Sequence, residues 1–180
     1  MKQDNENNYG AQTLQVVAPA SHSAEPLALI NCGEFSLLIS SKDIVTLISA
    51  QKLLASKTAH ACGEVEFEQK VIPVFVFNKA LQLQPRLPSA HMTVVVLQHE
   101  SRLFAICCSG LEKLNAADLH FHKVPLSMSN RKQPFAEFAI VNNIAAGLSS
   151  AAELWRLLSL RKAVQTMPLV QMHALIQGAG

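Results

Sequence analysis

From Glu64 to Glu68 the sequence reads Glu-Val-Glu-Phe-Glu, and after Gln69-Lys70 it turns into the nearly unbroken apolar run Val71-Ile72-Pro73-Val74-Phe75-Val76-Phe77. Strict alternation is the period-two signature of a strand with one wet face, and the run beside it reads as a more buried strand. Together they predict an antiparallel hairpin turning at Gln69-Lys70, with Val65 and Phe67 facing in and Glu64, Glu66 and Glu68 facing out. Pro73 lacks a backbone donor, so its strand is expected at an edge or a bulge.

This pattern recurs. Gly63 to Leu83 runs strand, turn, strand, then Leu81; Pro134 to Leu154 runs strand, turn at Asn142-Asn143, strand, then Leu154. The Asn-Asn pair suits the positive φ of a two-residue turn. Ahead of each unit lies an apolar strand followed by a short charged turn: Phe35 to Ile39 before Lys42-Asp43, and Leu103 to Cys108 before Glu112-Lys113. Either unit is too small to enclose a core alone, so the expected architecture is two small β-barrels packed together.

Other segments fit an all-β reading. Leu27 to Cys32 and Phe35 to Ile39 read as two strands, and Thr93 to Leu97 with Leu103 to Cys108 reads as a hairpin. Ile44 to Ala55 suits a strand or a helix face. Ser150-Ala-Ala-Glu153 has the spacing of a capping box and predicts a helix carrying Leu154, Trp155, Leu157 and Leu158, unable to run far past Thr166 because of Pro168. Its tryptophan suits docking on the sheet, with a partner-binding face as the alternative. Residues 1–25 are rich in Asn, Gln, Ser and Ala and read as a flexible leader. Residues 26–164 are then the domain and 165–180 a tail that could hold one more short helix.

Composition narrows the function. In 180 residues, 15 Lys+Arg against 13 Asp+Glu leave a net charge of +2, which gives no basic surface for nucleic acid. No apolar run approaches the roughly 20 residues of a spanning helix, and the polar start MKQDNENNYG lacks a secretory signal, so a cytoplasmic location is expected. Four cysteines without a CxxC pair read as free thiols, with Cys107-Cys108 as core packing in a strand. His120-Phe121-His122 offers two imidazoles, too few for zinc, and His60-Ala61-Cys62 has no orienting third group for nucleophilic catalysis. No GxSxG, P-loop, GxGxxG or HExxH is present, so neither a catalytic residue, a metal nor a cofactor is assigned.

Gly63-Glu-Val-Glu-Phe-Glu-Gln-Lys-Val-Ile-Pro-Val-Phe-Val-Phe77 resembles the CheW-like domain, the adaptor module of bacterial chemotaxis arrays. That family carries G-V-I-N-L-R-G-x-V-I-P-V-I-D-L, which aligns without a gap: Gly63, Phe67, Val71, Ile72, Pro73, Val74 and Phe77 match in type. Gly147 to Leu158, of the form G-L-x-x-x-x-E-L-x-x-L-L, looks like the family's closing turn and helix. The family's arginine and glycine stand as Glu68 and Gln69 here, and its aspartate as Val76, so the chain is a divergent member whose usual contacts are in question. The resemblance implies two SH3-like, five-stranded β-barrel subdomains with a C-terminal helix. It also implies a non-enzymatic scaffold that couples a CheA-like histidine kinase to a chemoreceptor or second scaffold in a flagellar, pilus or other pathway. Partner contact is then expected at Glu66, Glu68, Gln69 and Lys70, with Asn78 and Lys79 at the far end of the hairpin. The alternative is a small-molecule-binding or enzymatic β-barrel in which His91, His99, His120 and His122 converge on a cleft.

Overall fold

A computed structural model describes residues 25–125 and 133–161. The expected leader to residue 24, most of the polar loop Asn130–Pro134, and the tail with Pro168 lie outside the described residues.

Eleven strands and one α-helix are described. The first hairpin pairs β1 (Pro26–Asn31) with β2 (Ser36–Ser40). Next comes β3 (Ile44–Ser49), which settles the ambiguous stretch from Ile44 as a strand followed by a 3-10 turn at Ala50–Lys52. The hairpin β4 (Gly63–Phe67) and β5 (Lys70–Phe75) is followed by the hairpin β6 (Thr93–His99) and β7 (Arg102–Cys108). After β8 (Gly110–Asn115) and a 3-10 turn at Ala116–Asp118 come β9 (Phe121–Lys123), β10 (Glu137–Val141) and β11 (Ile144–Ser149), then α1 (Ala151–Leu160).

The strands form two curled sheets. One is six-stranded, in the order β8-β1-β2-β11-β10-β9; the other is five-stranded, β3-β6-β7-β5-β4. A two-way bridge, with Leu54 N–H to Glu64 O at 2.8 Å and Glu64 N–H to Leu54 O at 3.0 Å, joins the chain beyond β3 to β4 and closes the five-stranded sheet as a barrel.

The repeat seen in the sequence is real, but its two copies are interwoven. Matching β1–β5 to β6, β7, β8, β10 and β11 in turn converts one strand order into the other, including the parallel pairs β2 with β11 and β7 with β5. Each half of the chain gives its first hairpin to one sheet and its later strands to the other. The 3-10 turns also correspond: Ser49 Oγ accepts from Gln51 N–H at 3.3 Å in one, and Asn115 Oδ1 from Ala117 N–H at 3.2 Å in the other.

Three cores result. Val65, Ile72, Val74, Val94, Val96 and Cys107 fill the closed barrel, while Leu27, Leu38, Ala139, Val141 and Ala146 line the six-stranded half-barrel. The largest lies between the two sheets, where Ile30, Phe75, Leu97, Phe104 and Ile106 meet Leu154, Leu157 and Leu158 of α1. Cys107 and Cys108 point to opposite faces of β7, and both faces are covered.

Several local expectations need correction. The tight turn falls at Glu68-Gln69, φ +50° and +62°, because Phe67 pairs with Lys70, which begins β5. Its counterpart at Asn142-Asn143 has φ +50° and +63°, as the Asn pair predicts. Glu and Gln lack asparagine's tolerance of this region, so the first hairpin turn carries strain of about 1 kcal/mol per residue. Pro73 belongs to an interior strand instead of an edge strand, but it lies where the ladder to β7 has not begun. Its partner Glu64 gives both backbone groups to Leu54, and β5 pairs with β7 only at Val74 and Phe75, so no ladder bond is lost at Pro73. At α1, Ser150 Oγ accepts from Glu153 N–H at 3.2 Å, which is half of the capping box. Glu153 pairs with Arg156 instead of reaching back, and Asp43 Oδ2 accepts from Ala151 N–H at 2.7 Å.

Candidate functional site

The partner-contact residues expected from the sequence fall in two separate places. Glu66, Glu68, Gln69 and Lys70 are all exposed at the free end of the β4–β5 hairpin. Asn78 and Lys79 lie beyond the other end of β5, eight and nine residues on from Lys70 and about 26 Å or more along an extended chain at ~3.3 Å per residue. There Asn78 Oδ1 accepts from the N–H groups of Ala80 at 3.0 Å and Gln82 at 2.9 Å, shaping a small loop with exposed Lys79 at its tip. Lys79 Nζ stands 3.9 Å from Glu34 Oε1, an exposed pair that contributes little.

Glu64 is not one of three like charges on a bare face. Its Oε1 accepts from Ser56 Oγ at 3.0 Å, Lys57 N–H at 3.0 Å, Thr58 N–H at 3.2 Å and Thr58 Oγ1 at 3.1 Å, so it organises the 56–58 loop. Burial alone would raise this carboxyl, but the bonds from Lys57, Ser56 and Thr58 outweigh it and hold Glu64 below the usual carboxylate range. The stability that Glu64 contributes is therefore complete above the ordinary value of 4.5 and is lost as pH falls through the lower folded value. Glu64→Gln is expected to cost about 1 kcal/mol at pH 7, modest because water screens the site, and almost nothing at pH 3. Urea unfolding of both proteins at the two pH values measures the difference.

Lys79 also stands at the rim of an apolar groove of about 340 Å³. Phe35 at the start of β2, Leu81, and Phe135, Phe138 and Gly147 around β10 and β11 form its walls. A Cβ at Gly147 would come within 2.6 Å of the Phe135 ring, so only glycine lets that ring lie against the strand. The sequence reading missed this groove, since its walls come from three distant segments. The one available signal was Leu81, which closes the first repeat unit.

The thiols and imidazoles form no reactive centre among the described residues. Burial pushes Cys62 and Cys108 up to about 11 and Cys107 up to about 12, and it raises Cys32 as well. They remain protonated thiols at neutral pH. Cys62 Sγ donates to Val74 O at 3.3 Å, away from exposed His60. His91 stands two residues before β6 and His99 at its far end, eight residues or about 26 Å apart along an extended chain, and His122 stacks on Phe138 in the other sheet at 5.4 Å. Neither the apolar groove nor two further clefts in the six-stranded sheet have a histidine in their walls.

No model of a known protein family matches the chain, and no curated protein matches it. Among solved structures, the scaffolding protein TtCheW from Thermoanaerobacter tengcongensis superposes with a TM-score of 0.50, over 70% of this chain and 88% of that one. The chain has the CheW fold. Only 10% of residues are identical, so the shared property is the arrangement of two β subdomains and not their surface. Within the CheW fold, this chain puts Glu68 and Gln69 at the strained tip of one subdomain and the apolar groove beside Lys79 at the other end of β5. No helix among the described residues is long and apolar enough to cross a membrane.

Proposed function

We propose that this protein is a non-enzymatic scaffold of chemotaxis-type signal transduction, acting in the cytoplasm and joining a CheA-like histidine kinase to a chemoreceptor or a second scaffold. The observation that carries this reading is the CheW fold itself, shared with a protein described as a scaffold. The surface chemistry agrees with it. The described clefts hold no convergent set of titratable groups, the thiols are kept protonated by burial, and the surface offers an exposed charged hairpin tip and a largely half-buried apolar groove suited to protein contact. The histidine-lined cleft of the alternative reading gains nothing from side chains this far apart.

Glu66, Glu68, Gln69 and Lys70 form one contact, with Lys79 and the groove as a second on the same scaffold. Glu68→Arg reverses charge on an exposed turn, so binding should change without unfolding. Titrating the parent and Glu68→Arg with the purified histidine kinase of the same cell tests this. The variant should bind at least tenfold more weakly at low salt, with the gap narrowing at moderate salt and the melting temperature within a degree or two. Equal affinity at both salt concentrations removes the hairpin tip from the interface.

A further inference from the structure

His91 is the buried polar side chain that nothing in the scaffold reading uses. It is 4% exposed, and neither Nδ1 nor Nε2 makes a well-formed hydrogen bond, the ring having only a weak interaction with the Cys32 backbone. The ring lies on the β1–β2 turn, where a Cβ on Gly33 would be 3.5 Å from His91 Cε1. Gly33 has φ +88° and is held there by Asn31 Oδ1, which accepts from its N–H at 2.9 Å. That turn belongs to the six-stranded sheet. His91 belongs to the connection from β5 to β6 in the closed barrel, pinned locally by its N–H to Pro88 O at 2.9 Å. The imidazole therefore adds a buried contact to the exposed one that Lys79 N–H makes with Glu34 Oε2 at 3.4 Å, and both join the long inter-strand connection of one subdomain to a turn of the other.

We propose that His91 is a proton-sensitive latch between the two subdomains: neutral, it holds the β5–β6 connection against the β1–β2 turn, and on gaining a proton it releases that connection. An imidazolium in this position has no anion to meet. On the β1–β2 turn, Cys32 is a buried protonated thiol and Glu34 is exposed and faces Lys79. On β7, Cys108 is likewise a protonated thiol, and on the connection itself Arg86 is exposed and of like charge. Burial accordingly holds His91 below the ordinary histidine value of 6.5, with the Cys32 backbone pulling weakly the other way. The unfolded or opened chain takes up a proton below that value and the closed form resists it, so stability is complete above it and falls as pH drops. The same connection carries Lys79 and Leu81 of the groove, so opening it alters the groove. The latch itself stands whether or not the chain is a scaffold.

The test uses the full chain in two measurements. In the parent, the His91 Cε1 proton followed by NMR should titrate below the ordinary histidine value of 6.5. In urea unfolding between pH 7.5 and 5.5, the folding equilibrium constant should fall in the parent by up to about tenfold, the most that a group with a free value of 6.5 can contribute one pH unit below it. His91→Phe keeps a ring against Gly33 and removes the titration, so that fall should shrink in the variant. A His91 resonance titrating at or above the usual histidine range overturns the latch, as does an identical pH dependence in parent and variant. The parent titration decides the matter even if His91→Phe does not fold.

Discussion

Replacing Leu154 with alanine is expected to destabilise the whole protein by about 3–5 kcal/mol and to leave a single unfolding transition. Leu154 is 1% exposed in the core between the sheets, among side chains from both. Its removal leaves a cavity in a core that holds packed side chains of both sheets, Ile30, Leu37 and Ile39 from one and Leu97, Phe104 and Ile106 from the other, which cannot collapse far to fill it. Against the 5–15 kcal/mol that holds a typical domain together, this is a large fraction. Circular dichroism and tryptophan fluorescence should report the same midpoint, since Trp155 lies on α1 with its ring 5.6 Å from Phe104. Two separated midpoints would mean that the subdomains are independent.

Cutting the chain in the connection between β5 and β6 has a still larger expected effect. Residues 25–88 keep the β1–β2 hairpin without its neighbours β8 and β11, and keep β3, β4 and β5 without β6 and β7. Residues 89–161 are left with the complementary remnants. Isolated hairpins are marginal in water, so each fragment should be unfolded alone, and co-expression should restore a dispersed amide spectrum. A half that folds by itself would refute the interwoven topology, because side-by-side barrels would each survive the cut.

That topology marks where reading the sequence stops. Alternation at Val65 and Phe67 showed which face points inward, and the structure buries Val65 and half-buries Phe67. The opposite-facing Cys107-Cys108 pair with at least one buried thiol, the Asn142-Asn143 turn and the Ser150 cap were legible for the same reason: each rests on local geometry. The repeat was legible too. Periodicity tells a strand which side is wet and not which strand it will meet, and β2 meets β11 about a hundred residues away along the chain. The one-residue displacement of the β4–β5 turn has a chemical cause, since Glu68-Gln69 lacks the Gly or Asn that normally announces positive φ. Glu64 points outward as the alternation requires, yet the 56–58 loop lies across it, and no pattern within β4 could reveal that. His91 sits in a Pro- and Ser-containing connection that reads as exposed, and it is buried only because a turn of the other subdomain covers it.

The scaffold reading rests on fold, and fold is shared more widely than function. Its most direct test is co-purification of the tagged full-length protein from its native host, with the captured proteins quantified by mass spectrometry against a Glu68→Arg control. The account predicts a histidine kinase, together with a receptor or a second scaffold, enriched with the parent and depleted with the variant. Capture that contains no kinase, receptor or scaffold component would contradict it.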